Sequence, residues 1–497
     1  MGDEVKGSAF SGAQRRDYRR KVQLSLDVFE TMLSESSFEF ERQLTGMEIE
    51  CNLVDEQYQP AMANREVLAA IADPAFQTEL GAYNIEFNVP PRALPGESPF
   101  ELESEVRASL NAAETKANEH GAHIVMIGIL PTLMPEHLTG EWMSESVRYR
   151  ALNDSIFSSR GEDIMIDIAG PERLTLQTAS IAPESACTSM QLHLQVSPAQ
   201  FADNWNAAQV LAAAQLALGA NSPYFLGHRL WAETRIELFA QATDTRPDEL
   251  KAQGVRPRVW FGERWITSIF DLFEENVRYF PSLLPELSDE DPVAELGAGR
   301  APRLPELRLH NGTIYRWNRP VYDVVDGRPH LRVENRVLPA GPTVIDMMAN
   351  AAFYYGTLRA LSEEDRPLWT QMSFAAAQEN FFTAARFGMA ARLYWPGMGT
   401  ITADELVLRE LLPLADEGLR RWGVAVAVRD RYLGVIEGRA KSGLNGAAWQ
   451  VRTVTALQEH DGLTRPRALA EMLRRYAERM HTNEPVHTWE VTSRPPN

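Results

Sequence analysis

Glu48 and Glu50 have a spacing that suggests chemistry. They lie one residue apart within an otherwise apolar run, Gly46-Met-Glu-Ile-Glu-Cys-Asn-Leu-Val54. Side chains alternate along a β-strand, so both carboxylates would lie on one face and their apolar neighbours on the other. Adjacent carboxylates repel each other unless a cation lies between them, and hard cations such as Mg²⁺ take oxygen ligands. For an isolated pair, the solvated face of an ordinary strand is the simpler explanation.

Later strands strengthen the case for a site. Residues 83–90, 190–196 and 330–337 alternate in the same way, and residues 234–240 are predicted as a further strand that carries Arg235. The polar positions collected from these strands are Glu48, Glu50, Asn84, Glu86, Asn88, Gln191, His193, Arg235, Arg332, Glu334 and Arg336. An ordinary exposed sheet face is polar and mixed. This one collects carboxylate, imidazole, carboxamide and guanidinium groups, which suit Mg²⁺ and a triphosphate.

The usual phosphate-binding motifs are missing from the sequence. It contains no G-x-x-x-x-G-K-[ST] loop, no G-x-G-x-x-G after a predicted strand and no kinase-type H-R-D and D-F-G set. A G-x-S-x-G nucleophile motif is missing as well. If ATP binds, we therefore expect it to bind on the sheet.

Composition narrows the class of protein. The 497 residues are 44% hydrophobic, enough for a large core, and carry a formal net charge of -19. Such an acidic chain is not expected to bind nucleic acid or an anionic membrane, because both require clustered Lys and Arg. The cysteines, Cys51 and Cys187, exclude a disulfide framework and favour buried thiols in a reducing compartment. Since no secretory signal or membrane-spanning segment is predicted, we expect a cytoplasmic protein.

The elements that must position these side chains predict an α+β fold. Strands come in loosely spaced pairs without a regular βαβ alternation, which favours an antiparallel or mixed sheet. Apolar periodicity predicts helices at residues 12–36, 98–119, 199–218, 343–361, 366–387, 403–422 and 466–481, and a loop at 289–303. We divide the chain into an N-terminal helical extension (1–37), a main domain (38–361) and a helical C-terminal part (362–497) packed on that domain.

Short motifs spread over residues 44–350 resemble the glutamate–cysteine ligase family of carboxylate–amine ligases, in its second, bacterial and plant type. The matching segments are Gly46-Met-Glu-Ile-Glu50 (family pattern G-[IV]-E-x-E), Glu79 with Tyr83-Asn-Ile-Glu-Phe-Asn-Val-Pro-Pro91 (E-x(6)-E ending in N-x-P-P), Met190-Gln-Leu-His193 (M-H-[VI]-H), Asn221-Ser-Pro223 with Thr234-Arg235, Thr313-Ile-Tyr315 with Arg319-Pro320, and Val333-Glu-Asn-Arg-Val337 (E-x-R). Each motif is short, and their number and order carry the resemblance.

The resemblance implies a curved antiparallel sheet that forms a catalytic funnel, as in glutamine synthetase, in an ATP-dependent ligase that uses Mg²⁺. The activity implied is glutamate–cysteine ligation, in which ATP activates the γ-carboxylate of glutamate and the amine of cysteine attacks it. The positions matching metal ligands are Glu48, Glu50, Glu79, Glu86, His193 and Glu334. Nucleotide-binding positions are Glu48, His193, Tyr315 and Arg336, and catalytic cations are Arg235, Arg319 and Arg336. The partners implied are small molecules, and a homodimer is compatible with the sequence.

Some positions keep alternatives open. Gln191 stands where many relatives have the first histidine of the strand, and residues 256–280 match no family motif and are expected to shape the pocket of the amine. A ligase that joins glutamate to a different amine, and a non-catalytic nucleotide-binding scaffold, both stay open. Instead of binding a metal, Glu79 could be an ordinary exposed glutamate. Instead of flanking the nucleotide, Tyr315 could pack in the core.

Overall fold

An antiparallel sheet of seven strands forms the centre of the structure. The computed structural model describes residues 10–35, 38–40 and 43–491. Within these residues the strands are β1 (Thr45–Val54), β2 (Phe76–Thr78), β3 (Asn84–Arg92), β4 (His123–Val125), β5 (Ile164–Ala169), β6 (Arg173–Thr178), β7 (Met190–Val196), β8 (Tyr224–Phe225), β9 (His228–Arg229), β10 (Val259–Trp260), β11 (Tyr315–Arg316), β12 (Asn318–Val325), β13 (Arg328–Asn335), β14 (Arg392–Trp395) and β15 (Gly399–Thr402).

The central sheet has the order β12-β13-β7-β1-β3-β2, and β4 pairs with the end of β1. Its neighbouring strands are antiparallel, and the sheet curls into a half-barrel. These findings confirm the α+β class and the curved antiparallel sheet. Because β7 lies between β1 and β13, side chains from distant parts of the chain meet on one face.

Helices pack around this sheet. Those of the described residues are α1 (Gly12–Ser34), α2 (Asn64–Ile71), α3 (Ser98–Asn118), α4 (Val147–Arg160), α5 (Phe201–Gly219), α6 (Arg235–Ala242), α7 (Asp248–Ala252), α8 (Ile269–Tyr279), α9 (Pro292–Gly297), α10 (Pro305–Asn311), α11 (Val344–Ser362), α12 (Phe374–Phe387), α13 (Ala403–Leu406), α14 (Leu412–Arg421), α15 (Val426–Ser442), α16 (Gly446–Glu459) and α17 (Arg465–Thr482). Helices α5 and α11 contact each other and are buried along almost their whole length, so they form the centre of the core.

The apolar face of the sheet lies against this core. Ile49, Ile85, Leu192 and Val333, from four different strands, have no exposed side-chain area. On α11, the Tyr355 hydroxyl donates hydrogen bonds to the carbonyls of Gly46 and His193, which are register partners on β1 and β7. Burial on one face therefore fixes the strand register that places the polar residues on the other.

Two glycines allow helix α14 to pack closely on helix α11. A Cβ atom added at Gly418 of α14 would lie 1.8 Å from the carbonyl oxygen of Gly356 on α11. One added at Gly356 would lie 2.3 Å from the carbonyl oxygen of Ala415. Backbone against backbone at this distance leaves no room for a side chain at either position, so α14 is packed tightly against α11.

Several elements differ from the sequence-based prediction. Residues 235–240 lie in helix α6 and not in a strand, because Ile236, Phe239 and Ala242 recur at helical spacing and are buried. The predicted loop at 289–303 contains the short helix α9. Helices α15 and α16 and the hairpin β5–β6 were not predicted.

The predicted N-terminal extension contains helix α1, which ends at Ser34, and residues 1–9 and 36–37 of that segment lie outside the described residues. The boundaries at 37 and 361 stay a prediction. In the part of the chain that the structure describes, no helix is long and apolar enough to cross a membrane.

Candidate active site

Strand register arranges the predicted residues in rows across the polar face. The first row is Gln77, Glu86 and Glu50, the second is Asn88, Glu48 and Gln191, and the third is Gly46, His193, Glu334 and Arg319. Neighbours within a row lie on adjacent strands, about 4.8 Å apart. Glu48, Glu50, Glu86, His193 and Glu334 are thus brought onto one surface.

Two cavities border this surface. A cleft of about 260 Å³ is lined by nine of the predicted site residues: Glu48, Glu50, Glu79, Glu86, Arg235, Tyr315, Arg319, Glu334 and Arg336. A second cavity of about 500 Å³ extends towards the β12–β13 turn and is lined by His193 and Arg332. Glu48 and Arg332 line both cavities, so these two side chains separate a ligand in one cavity from a ligand in the other.

Three carboxylates in the cleft form a cluster suited to a cation. Glu50, Glu79 and Glu86 each place one oxygen within 4.8 Å of the others. Burial raises the pKa of all three, and neighbouring carboxylates raise it further for Glu79 and Glu86, to about 7 for Glu86. A divalent cation among these oxygens would offset their repulsion, so the donor set fits Mg²⁺. Glu79, half-buried within the cluster, is not an ordinary exposed glutamate.

Gln191 connects this cluster to an arginine. Its Nε2 donates to Oε1 of Glu50 over 3.0 Å, and its Oε1 accepts from Arg336 over 2.6 Å. The backbone N–H of Ser189 donates to the other oxygen of Glu50 over 2.5 Å. The side-chain amide of Gln191 therefore orients both a carboxylate of the cluster and a guanidinium.

Glu334 holds two cationic side chains over the cleft. Arg319 donates to its Oε2 over 2.8 Å and Arg336 to its Oε1 over 2.7 Å. Burial alone would raise the pKa of Glu334, but the two arginines hold it well below its usual value. Both guanidinium groups remain about one-fifth exposed, so each still reaches the cleft.

Glu48 and His193 form a second polar group. Nε2 of His193 lies 3.1 Å from Oε1 of Glu48, and Nε of Arg332 donates to Nδ1 of the same ring over 3.1 Å. The Nε2 atom is buried and has no hydrogen bond of good geometry within the described residues. Burial alone would raise the pKa of Glu48, but His193 lowers it to about 2, so Glu48 is ionised at neutral pH.

Arg235 is placed differently from the other predicted cations. Its guanidinium donates to Glu233 over 3.2 Å and to the backbone carbonyls of Arg336 and Val337. The side chain is 4% exposed. Arg235 lines the cleft, but these contacts also fix the backbone that carries Arg336.

The aromatic wall of the cleft includes Tyr315, whose ring centroid lies 5.0 Å from that of Phe239. Strand β11, which carries Tyr315, pairs with β10. Within residues 256–280, Phe273 lines the cleft. The expectation that residues 256–280 shape the pocket of the amine stays a prediction, with Phe273 as the member of the segment that lines this cleft.

Sequence reasoning missed two residues near the site. Arg332 was grouped with the polar face without a role, and the structure shows it bonded to His193. Glu184 lines the cleft from the 3₁₀ turn Ala182–Ala186. Its signal in the sequence is an acidic residue in a run of small and apolar residues, Ile181-Ala-Pro-Glu-Ser-Ala186, which matches no pattern of strand or helix.

Comparison with known proteins agrees with this geometry. The family model of glutamate-cysteine ligase family 2 (GCS2) matches residues 44–471. The fold is similar to that of glutamate–cysteine ligase from Francisella tularensis in complex with AMP, with 13% identity, a TM-score of 0.56, and coverage of 92% of this chain and 91% of that one. A bifunctional glutathione synthetase from Pasteurella multocida is also similar, with 12% identity, a TM-score of 0.50, and coverage of 92% and 55% respectively. At these identities the likeness shows a shared fold.

A search of curated proteins found no match. The family model, by contrast, spans most of the sequence and contains every residue of the carboxylate–arginine surface described above. The chain therefore belongs to glutamate–cysteine ligase family 2, whose members are ATP-dependent ligases that form carbon–nitrogen bonds.

Proposed function

We propose that the protein uses ATP to activate the γ-carboxylate of glutamate and joins it to an amine, with cysteine as the first candidate. One observation carries this proposal. The cluster of Glu50, Glu79 and Glu86 lies in the same cleft as Arg336, and Gln191 hydrogen-bonds to both Glu50 and Arg336. Carboxylates that bind a cation and arginines that bind phosphoryl oxygens are the two groups that phosphoryl transfer requires.

In the first step, an oxygen of the γ-carboxylate attacks the γ-phosphorus of ATP. The bond between that phosphorus and the bridging oxygen breaks, which gives an acyl phosphate and ADP. Arg336 and Arg319, held by Glu334, donate hydrogen bonds to the oxygens of the phosphoryl group as it transfers. A carboxylate acylates amines poorly until it is phosphorylated, which explains the use of ATP.

Glu50, Glu79 and Glu86 would hold one Mg²⁺, and Glu48, His193 and Glu334 stay predicted metal ligands. When bound, the cation neutralises negative charge on the phosphates. The position of the cation would depend on the orientation of Glu50, which is fixed by hydrogen bonds from Ser189 and Gln191. Tyr315 stays the predicted aromatic neighbour of the nucleotide.

In the second step, the nitrogen of the amine attacks the acyl carbon. The carbon–nitrogen bond forms, the bond between the acyl carbon and the phosphate oxygen breaks, and phosphate leaves. A second candidate function is the same reaction with an amine other than cysteine. It is supported by Glu184 in the cleft wall, a carboxylate that no family motif in this sequence accounts for.

The test is to incubate the protein with Mg²⁺, ATP, glutamate and a panel of amines that includes cysteine, and to measure ADP and the amide product by mass spectrometry. We expect ADP release that requires glutamate and one amine of the panel. ATP binding without turnover for any acid or amine would favour the non-catalytic scaffold. No ATP binding at all would contradict both.

A further inference from the structure

The N-terminal segment, defined here as helix α1 with residues 38–40, lies outside the part of the chain that the family model matches, which begins at residue 44. The mechanism above uses none of its side chains. Helix α1 packs on α8, α9 and α10. Both α8 and α10 carry residues that line the active-site cleft, Phe273 and Leu309 among them. The segment therefore lies directly behind one wall of the cleft.

Two aromatic side chains of this segment hold that wall. The ring centroid of Phe29 lies 5.0 Å from that of Phe273 and 5.4 Å from that of Tyr322. Phe38 lies 6.2 Å from both Phe29 and Tyr322. All four ring pairs are edge-to-face, a geometry that aromatic pairs prefer. Phe273 and Tyr322 line the cleft and are almost fully buried, so their positions depend on the rings packed behind them.

Tyr322 in turn sets the position of its neighbours on β12. Val321 and Asp323, on either side of it along the strand, line the cleft. Asp323 forms an ion pair of 3.2 Å with Arg308, which also lines the cleft. We call this part of the cleft the β12 arm, and its lining residues are Phe273, Arg308, Leu309, Val321, Tyr322 and Asp323.

The β12 arm lies beyond Arg319 when followed from the carboxylate cluster. Glu50 is in the first row of the polar face and Arg319 is in the third, while Val321 pairs with Arg332 in the next row outward. Each step of two residues along a strand is about 7 Å. A nucleotide whose phosphoryl end meets Arg319 has room for its other end in the arm. An apolar wall with a few polar groups suits a flat ring that has polar edges.

We propose that Phe29 and Phe38 are positioning residues for the nucleoside end of ATP, which binds in the β12 arm. By holding Phe273 and Tyr322 they set the shape of the arm, and they touch no ligand themselves. This inference rests on the proposed function and gives a role in it to a segment outside the family match. The phosphates bind elsewhere, at Arg319 and its neighbours. The segment therefore contributes to the affinity for base and ribose, and not to the affinity for the phosphates.

Tripolyphosphate separates the two ends of the nucleotide, because it carries three linked phosphates without base or ribose. In Phe29→Leu the side chain stays apolar and the ring contacts are lost. We expect the Kd of Mg²⁺-ATP, measured by isothermal titration calorimetry, to rise about fivefold or more, the order of one aromatic pair. The Kd of Mg²⁺-tripolyphosphate should not change. Phe100→Leu, which loses an edge-to-face contact with Tyr432, is the control, because neither residue lines the two cavities of the polar face.

Other outcomes overturn one proposal or the other. Equal weakening of both ligands in folded Phe29→Leu would show that the segment acts on the whole cleft, and would contradict the inference. Unchanged ATP binding would contradict it too, and a raised KM for glutamate or the amine alone would assign the arm to that substrate. If the wild type binds neither ATP nor tripolyphosphate, the proposed function itself fails.

A second variant covers the case in which Phe29→Leu does not fold. Phe38→Leu removes the ring contacts of Phe38 with Phe29 and Tyr322, and it leaves Phe29 in place. It should raise the Kd of ATP by a smaller factor and leave that of tripolyphosphate unchanged. If Phe38→Leu folds and binds both ligands as the wild type does, the inference is wrong.

Discussion

Arg332 donates a hydrogen bond through Nε to Nδ1 of His193, over 3.1 Å. A guanidinium has no acceptor, so Nδ1 accepts and the ring proton of neutral His193 lies on Nε2. In this tautomer Nε2 is a donor, suited to Glu48 or to a phosphate oxygen. To act as a metal ligand, Nε2 must lose its proton and the bond from Arg332 must break.

Replacing Arg332 should therefore change the tautomer. In Arg332→Met, Nδ1 becomes free to carry the proton, and Nε2 gains a lone pair directed at Glu48. We expect ¹⁵N NMR of the imidazole to shift from the Nε2–H to the Nδ1–H form. Mn²⁺, as an EPR probe of Mg²⁺ sites, should bind more tightly. Arg328→Met, an exposed position on the same strand, should change neither. An unchanged tautomer would show that Arg332 does not set it.

Gln191→Met should separate the carboxylate cluster from Arg336 while leaving the volume of the side chain almost unchanged. It removes two hydrogen bonds to charged groups, each worth roughly 1.5–3 kcal/mol. We expect kcat for ADP formation to fall by about 100-fold or more, since each 1.36 kcal/mol is a factor of ten in rate. Gln195→Met, on the same strand, loses hydrogen bonds to backbone groups of residues 39 and 44 and should keep the rate. Full activity of Gln191→Met would contradict the bridging role.

Glu50→Gln tests the cation cluster. The variant keeps the shape of the side chain and removes one charge from a group of buried carboxylates. We expect turnover to fall by roughly 1,000-fold or more, because several kcal/mol of charge stabilisation depends on the cation. The Tm without Mg²⁺ should stay the same or rise, since the carboxylates repel one another less. Thermal melts and ADP assays measure both, and a fully active variant would refute the metal assignment.

Mg²⁺ binding should release protons near neutral pH. The pKa of Glu86 is about 7 in the free protein, and that of Glu79 is raised well above its usual value. Metal binding requires the ionised form, so the apparent affinity should increase as pH rises through 7. Calorimetric titrations in buffers of different ionisation enthalpy count the protons released. Glu86→Gln should lower that count, and a buffer-independent enthalpy for the wild type would contradict these shifts.

Acid should destabilise the fold through His310, away from the cleft. Its Nε2 donates to the carbonyl of Asn276 over 3.0 Å, and burial together with the charge of Arg258 lowers its pKa to about 4. The folded state resists protonation, so this contribution is fully present above pH 6.5 and is lost as pH falls towards 4. It amounts to roughly 3 kcal/mol at 1.36 kcal/mol per pKa unit. His310→Gln keeps a hydrogen-bond donor but does not titrate. The free energy of unfolding, measured with urea, should therefore depend less on pH between 6.5 and 4 in this variant. If the variant shows the same pH dependence as the wild type, His310 is not the source of the acid destabilisation.

Much of the site could be predicted because the alternation of polar and apolar residues along a strand is visible in the sequence. Glu48 and Glu50 share a face for the same reason that Ile49 is buried between them. The neighbours across strands could not be predicted that way, since the contact between Gln191 and Arg336 depends on the order β13-β7-β1. Arg235 was misplaced on a strand because Arg, Ile, Glu, Leu also alternates, and the helical spacing that decides the matter appears only when Phe239 and Ala242 are included.

Glu48 lines both cavities of the polar face, and this shared wall has a thermodynamic consequence. Two ligands that touch the same ionised carboxylate from opposite sides cannot bind independently, because each alters the field that the other meets. Thermodynamic linkage then requires the effect to be reciprocal. If a ligand in one cavity changes the affinity of the second cavity for its ligand by some factor, the second ligand changes the affinity for the first by the same factor. Binding constants measured for the ligands of the two cavities should therefore form a closed cycle, and the charges of Glu48 and of Arg332, which also lines both cavities, contribute to the size of the coupling.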